Sequence, residues 1–127
     1  MGYTIKNLEE VEDMAAKHGL SEFGEARFAR EDLQASDTGL SHQRLRAGKR
    51  QQFGHRHERA EEVYLVLSGS GRVKLDDEIR EIGTLDAIRV EPQVARCFEA
   101  GPEGLEYVVF GPHLSGDGEI LPGWWSD

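Results

Sequence analysis

The sequence is poor in cysteine: Cys97 is the one thiol among 127 residues. A single cysteine cannot form a disulfide within the chain, so the fold must depend on an ordinary buried core. A chain of this length suits one domain with such a core. Strand alternation places Cys97 on the opposite face from its neighbour Arg96, so we expect Cys97 to be a small buried residue.

Positive charge is also scarce, with 15 lysines and arginines against 24 acidic residues and a formal net charge of −9. Such a surface repels the phosphates of nucleic acids and the headgroups of acidic membranes. We therefore predict no nucleic-acid partner and no membrane partner.

Long apolar runs are missing as well, since the longest is Val63–Leu67. A transmembrane helix needs about 20 such residues. The first residues lead directly into charged ones, without the apolar stretch of a signal peptide. We expect a soluble cytoplasmic protein, and the free thiol fits a reducing compartment.

Helical patterns are rare, and the sequence predicts one short helix near its start. Asn7 is a good N-cap, Glu10 completes a capping box, and Gly19 is the expected C-cap. The residues on the apolar face of this predicted helix are Leu8, Val11, Met14 and Ala15.

The rest of the chain predicts short strands separated by turns, because 15 glycines interrupt its apolar runs. The predicted strands are Phe23–Arg30, Gly39–Ala47, Phe53–His57, Val63–Leu67, Gly71–Leu75, Glu78–Ile82, Asp86–Glu91, Val94–Glu99 and Leu105–Phe110. Turn chemistry at Ser68, Gly69 and Ser70 predicts a hairpin. Without strand–helix alternation, the fold class is all-β, a sandwich or barrel.

The last residues, 113–127, are expected to form an ordered coil. Trp124 and Trp125 should pack against something, because paired tryptophans are rarely left in solvent. Two alternatives remain open: they cover the domain's own surface, or they form a lid or an interchain contact.

The motif that carries chemistry is His55-Arg56-His57. Residues two apart in a strand point to the same face, so the two imidazoles can share one cation. If the four residues that follow form a hairpin turn, Glu62 lies across from His57. Two histidines and one carboxylate suit iron, manganese and related divalent ions.

Glu61 competes with Glu62 for this role. Strand parity places Glu61 with Val63 and Leu65, whereas Glu62 shares its face with Tyr64. The second face is the more polar one, as a pocket wall would be, which favours Glu62 without settling the choice.

The spacing of His55, His57, Glu62 and Gly69 resembles the first conserved motif of the cupin superfamily, with Gly48 near the motif's initial glycine. A degraded second motif resembles residues 83–100. The resemblance implies a jelly-roll barrel, also called a double-stranded β-helix, with a short N-terminal helix. It implies one domain over residues 1–127, with an N-terminal arm at 1–38, the barrel core at 39–112 and the tail at 113–127.

The family's fourth metal ligand, a histidine, corresponds to Arg96, and its asparagine corresponds to Ala100. Arginine stays protonated and cannot bind a cation. Two outcomes are open: three protein ligands hold the metal while Arg96 clamps an anionic substrate group, or the site has weakened and Arg96 pairs with Glu62.

The resemblance implies a divalent ion (Fe, Mn, Ni or Zn) held by His55, His57 and Glu62, and a small polar, anionic or neutral ligand. Dioxygenation and isomerisation are the reactions it implies, with Arg96, Tyr64 and His42 as candidate catalytic residues. A non-catalytic sensing module and a structural barrel with a vestigial pocket are the alternatives, so enzyme activity stays undecided. Cupin-like barrels often pair, which predicts a homodimer.

Overall fold

The chain forms one curled, antiparallel eight-stranded sheet in the computed structural model, which describes residues 2–127. The strands are β1 (Gly24–Phe28), β2 (Thr38–Leu45), β3 (Phe53–His57), β4 (Glu62–Leu75), β5 (Glu78–Gly83), β6 (Ala87–Val90), β7 (Arg96–Pro112) and β8 (Gly118–Pro122). Neighbouring strands of the sheet follow the order β1-β2-β7-β3-β8. Strand β4 pairs with β7 and also with β5 and β6. The predicted all-β barrel is therefore confirmed.

The helix predicted between Asn7 and Gly19 is shorter than expected and is split in two. A 3-10 turn at Leu8–Glu10 precedes helix α1 (Met14–Lys17). Asp13 causes the division, because its side chain caps α1 and also accepts a hydrogen bond from a backbone N–H of β1. None of the helices in residues 2–127 is long and apolar enough to span a membrane.

Strands β4 and β7 are the longest in the molecule and pair with each other along most of their length. The hairpin predicted at Ser68–Ser70 is wrong, and so is the division of β7 into two strands. Gly69 and Gly104 adopt left-handed backbone conformations with φ of 82°. They sit beside register shifts in the ladder, so they bend the paired strands around the core instead of reversing the chain.

The core fills the inside of this bend. Tyr64, Phe98 and Tyr107 stack at its centre, with ring centroids 4.7–6.0 Å apart. Aliphatic residues from these strands and from β2, β5 and β6 complete it: Leu45, Val66, Val73, Ile82, Val90, Leu105 and Val109. Cys97 points away from this core and is also buried, and burial raises the pKa of its thiol to about 11.

The tail is more regular than predicted, because residues 118–122 form β8 and pair with β3. The coil prediction is wrong for this segment. The guanidinium of Arg50 lies 4.3 Å from the ring centroid of Trp125, and the ammonium of Lys74 lies 4.5 Å from that of Trp124. The tryptophans thus cover the outside of their own barrel.

Replacing Gly69 by alanine should lower the free energy of unfolding by about 2–4 kcal/mol. A Cβ there would lie 2.1 Å from the carbonyl oxygen of Gly104, on a backbone already at positive φ. Gly83→Ala is the control, because nothing lies within 4 Å of its added Cβ. Urea denaturation measures both, and equal midpoints would contradict the role given to Gly69.

Candidate metal centre

His55 and His57 project together from β3, which lies between β7 and β8. His55 pairs with Arg96 of β7 and with Ile120 of β8, so the strand is fixed on both edges. The two imidazole centroids are 5.2 Å apart and the rings are perpendicular. The alternation of this strand therefore places both rings on one face, as the His-x-His pattern predicts.

Glu62 meets the histidines by a route that differs from the predicted one. Strands β3 and β4 do not pair across a hairpin; Glu62 instead opens β4 opposite Val90 of β6. Its Oε1 lies 3.2 Å from His55 Nε2, and its Oε2 lies 3.4 Å from His57 Nε2. Glu61 faces away from the site and pairs with Arg89 on the surface. The structure thus brings Glu62, rather than Glu61, to the histidines.

Tyr64 shares the inward face of Glu62 and supports its carboxylate. The phenol donates a hydrogen bond to Glu62 Oε1 at 2.6 Å and lies 3.5 Å from His55 Nε2. Burial, reinforced by the charge of Glu62, raises the pKa of Tyr64 well above its usual value. Tyr64 therefore keeps its proton and acts as a donor.

The charge states of the cluster suit a cation. Burial alone would raise the pKa of Glu62, but hydrogen bonds from His55 and Tyr64 lower it to about 2. Burial lowers the pKa of His57, so this imidazole is neutral at pH 7. A carboxylate and neutral imidazoles are the forms in which these groups bind metal ions.

The positions of the donor atoms also fit one ion. One ligand atom from each of the three residues lies within 4.8 Å of the other two. Ligands at about 2.1 Å from a tetrahedral or octahedral ion are separated by roughly 3.0–3.4 Å. Each Glu62 oxygen lies at about this distance from one histidine, Oε1 from His55 and Oε2 from His57. His57 Nε2 is buried without a hydrogen-bond partner, although it faces the carboxylate. A ligand role would explain this unpaired buried nitrogen.

Arg96 lies behind Glu62 and is fully buried. Its Nη2 donates to the backbone oxygen of Glu91 at 2.9 Å, and its Nη1 is 3.8 Å from Glu62 Oε1. Arg96 lies outside the walls of the two cavities at the site. Its guanidinium therefore faces the carboxylate of Glu62, and both alternatives given for Arg96 stay predictions.

Two cavities, of about 460 and 530 Å³, meet at the cluster. This size is typical of small-molecule pockets. The residues that line both are Met14, Phe28, Ser41, His57, Glu62 and Val109. Aromatic and aliphatic side chains of Leu20, Phe23, Phe53 and Ile120 line part of the smaller cavity, so this part of its wall is apolar.

A chain of hydrogen bonds crosses the wall of the smaller cavity. Gln51 Nε2 donates to the hydroxyl of Tyr107, which donates to Gln43 Oε1, and Gln43 Nε2 donates to Ser41 Oγ. Gln51 Oε1 accepts from the backbone N–H of Phe98. Because Ser41 Oγ already accepts a hydrogen bond, its own proton is free for a ligand oxygen.

His42, a candidate catalytic residue, lies apart from the cluster of His55, His57 and Glu62. It lies on β2 between Ser41 and Gln43, and alternation turns it to the other face. There its Nε2 lies 2.6 Å from Glu106 Oε2, and His42 lies outside the walls of both cavities.

The same strand alternation could have identified Ser41 and Gln43 as cavity residues from the sequence. The sequence does not indicate Gln51, because its partner Tyr107 is far away in the chain.

Asp117 is a further residue that the sequence did not indicate. Its side chain is 2 % exposed and lies 3.3 Å from His57 Nδ1. It comes from the tail, between two glycines, where an aspartate is typical of a plain turn. No local pattern connects it to a histidine that precedes it by 60 residues.

Comparison with known proteins defines the class. The family model described as "Cupin domain" matches residues 41–111, which is more than half of the chain. The chain therefore belongs to the cupin family. A search of the curated proteins found no match.

Solved structures agree on the fold. A cupin protein from Bacteroides fragilis is 20 % identical with a TM-score of 0.73, over 91 % of this chain and 88 % of its own. The polyketide cyclase RemF from Streptomyces resistomycificus is 19 % identical with a TM-score of 0.75, over 98 % and 87 %. Oxalate decarboxylase from Bacillus subtilis is 21 % identical with a TM-score of 0.74, over 93 % of this chain and 33 % of its own. At these identities the likeness shows the fold alone.

The lowered pKa of Glu62 predicts an acid-sensitive contribution to stability in metal-free protein. The folded state holds the ionised form more strongly than the unfolded state, so the stabilisation is present above pH 4.5 and is lost as pH falls towards 2. Between these values the wild type should lose about 3 kcal/mol more unfolding free energy than Glu62→Gln.

Urea unfolding with a chelator present, repeated from pH 5 to 2, measures this difference. Glu61→Gln is the control, since it removes a neighbouring exposed carboxylate. Parallel profiles for wild type and Glu62→Gln would contradict the prediction.

Proposed function

We propose that this protein is a metal-dependent cupin that converts a small molecule in the barrel mouth. The observation that carries the proposal is the convergence of His55, His57 and Glu62 where two cavities meet. Two imidazoles and one carboxylate hold iron, manganese, nickel or zinc and leave positions open to water and substrate. We propose these ions as the cofactor.

An ion bound there would supply Lewis acidity or activate oxygen or water. The chain's own residues prepare the donor atoms for it. The hydroxyl of Tyr64 donates a hydrogen bond to Glu62 Oε1, and this orientation of the carboxylate leaves Oε2 facing His57. Burial keeps His57 neutral, and Arg96 balances the charge of Glu62 inside the barrel.

The cavity indicates the chemistry of the ligand. The apolar part of the wall suits a hydrophobic or ring-shaped body, and the hydroxyl of Ser41 suits an oxygen acceptor on the same molecule. Because Arg96 is buried behind Glu62, an anionic group would meet the bound ion and not the guanidinium. We therefore propose a small oxygen-bearing molecule with an apolar part, neutral or anionic.

A non-catalytic, metal-free binding module is the second candidate, and Arg96 favours it. Glu62 Oε1 lies 2.6 Å from the Tyr64 hydroxyl, 3.2 Å from His55 Nε2 and 3.8 Å from Arg96 Nη1, so the charge of Glu62 is compensated without an ion.

A homodimer and a cytoplasmic location also remain predictions. The exposed Phe28 and Ile120 on the edge strands β1 and β8 are compatible with pairing.

Metal-free wild type should bind one divalent ion per chain, measured by calorimetry with Mn²⁺, Fe²⁺, Ni²⁺ and Zn²⁺ in turn. At 100 times the Kd, binding should stabilise the fold by about 2.7 kcal/mol and raise Tm by roughly 10 °C. His57→Ala and Glu62→Ala should weaken binding at least about 100-fold, since each removes a ligand.

His113→Ala is the matched control, because this exposed histidine lies outside the cluster. It should bind the ion as the wild type does. A wild type with no bound ion and an unchanged Tm would overturn the metal-dependent proposal in favour of the metal-free binding module.

Turnover separates the enzyme from the binding module. Compounds that raise the Tm of metal-loaded protein are incubated with it and followed by mass spectrometry. We expect a changed mass or isomer from wild type, and none after chelation or from Glu62→Gln. A ligand that binds but is recovered unchanged in every case would contradict the proposed turnover and favour a binding module that is not an enzyme.

A further inference from the structure

The tail carries a buried carboxylate to the back of the site. Asp117 precedes β8 and binds the loop between β3 and β4 through three backbone contacts. Its Oδ1 accepts from Arg59 N and its Oδ2 from Ala60 N, both at 2.9 Å, and its backbone oxygen accepts from Glu58 N. Burial opposes ionisation of Asp117, but these backbone donors and His57 lower the pKa of its carboxyl.

His57 lies between two carboxylates. Glu62 Oε2 is 3.4 Å from its Nε2 on the metal side, and Asp117 Oδ2 is 3.3 Å from its Nδ1 on the other. Both ring nitrogens are buried, and neither completes a hydrogen bond. A neutral imidazole has one N–H and one acceptor nitrogen, so the ring must choose which side receives its proton.

We propose that Asp117 is a positioning residue for the metal centre, because its carboxylate draws the His57 proton to Nδ1 and leaves the Nε2 lone pair facing Glu62. The inference rests on the proposed metal-binding function. Metal-ligating histidines are commonly oriented by a carboxylate behind them, and loss of that partner typically weakens metal binding 10–100-fold.

The geometry gives Asp117 a role beyond fixing the loop. The two backbone N–H groups would be satisfied by any well-placed acceptors. The charge of Glu62 is already offset by Tyr64, His55 and Arg96, so the carboxylate of Asp117 is the stronger acceptor for the His57 proton and favours the Nδ1–H tautomer. Asp117 also lies outside residues 41–111, the part that matches the family model. The tail of this chain therefore contributes to a site whose ligands come from the barrel.

The first readout needs no metal. In ¹⁵N spectra of metal-free wild type at pH 8, the imidazole signals of His57, assigned by their loss in His57→Gln, should show the Nδ1–H tautomer. In Asp117→Asn, which lacks the charge and gives up one backbone contact, the signals should shift towards a mixture of tautomers.

The second readout is the Kd for Zn²⁺, measured by calorimetry. Asp117→Asn should bind 10–100-fold more weakly than wild type while melting cooperatively. Asp127→Asn is the control, since it removes an exposed tail carboxylate that pairs with Arg50. Its Kd should match that of wild type.

The outcomes separate this inference from the proposed function. An Nε2–H tautomer in wild type, or equal Zn²⁺ affinities for wild type and Asp117→Asn, overturns the inference and leaves metal binding intact. A wild type that binds no Zn²⁺ overturns the proposed metal centre, whereas an Nδ1–H signal that depends on Asp117 would still support its control of the His57 ring. Should Asp117→Asn fail to fold, the wild-type tautomer decides.

Discussion

The carboxylate of Glu62 lies in the barrel mouth largely out of water, and much of the surrounding structure compensates for its charge. An isolated buried carboxylate would be strongly unfavourable and would take up a proton. Here Tyr64 donates to it, His55 lies within hydrogen-bond distance and Arg96 balances its charge. These partners come from β4, β3 and β7, so the compensation requires the barrel to be closed around the site.

The bent pair of β4 and β7 makes this convergence possible. Straight strands would carry Glu62 and Arg96 away from each other, since they lie near the starts of two antiparallel strands. The left-handed glycines, Gly69 and Gly104, curve both strands around the same aromatic core. The backbone conformations of these two glycines, far from the site, therefore control the distance between Arg96 and Glu62.

Sequence reasoning found the residues of the site more reliably than the path of the chain between them. The face shared by His55 and His57 follows from the two-residue period of a strand, which needs no knowledge of neighbours. The same period selected Glu62 over Glu61. All these inferences are local, and the structure agrees with each of them.

The predictions that failed concern contacts between residues far apart in the sequence, or the backbone conformation of a glycine. A glycine flanked by serines is typical of a hairpin, but Gly69 is equally suited to a bend in a continuous strand, and only the partner strand β7 decides between them. Gln51 and Asp117 have partners 56 and 60 residues away, namely Tyr107 and His57. A local sequence pattern cannot connect residues that are this far apart in the chain.

The most consequential difference from the family pattern is the charge at position 96. Where the resemblance implies a fourth neutral ligand, Arg96 places a cation 3.8 Å from Glu62 Oε1. Before any ion binds, the guanidinium offsets the charge of Glu62 and the carboxylate of Asp117 leaves one net negative charge, so a divalent ion would keep one positive charge uncompensated. The remaining positive charge would attract an anionic oxygen from the cavity, where water is already partly excluded. Binding of the ion and binding of an anionic ligand would then be thermodynamically coupled, each strengthening the other by the same factor. In this way a residue that cannot bind a metal would adapt the cupin site to bind its ion more strongly when an anionic ligand is present.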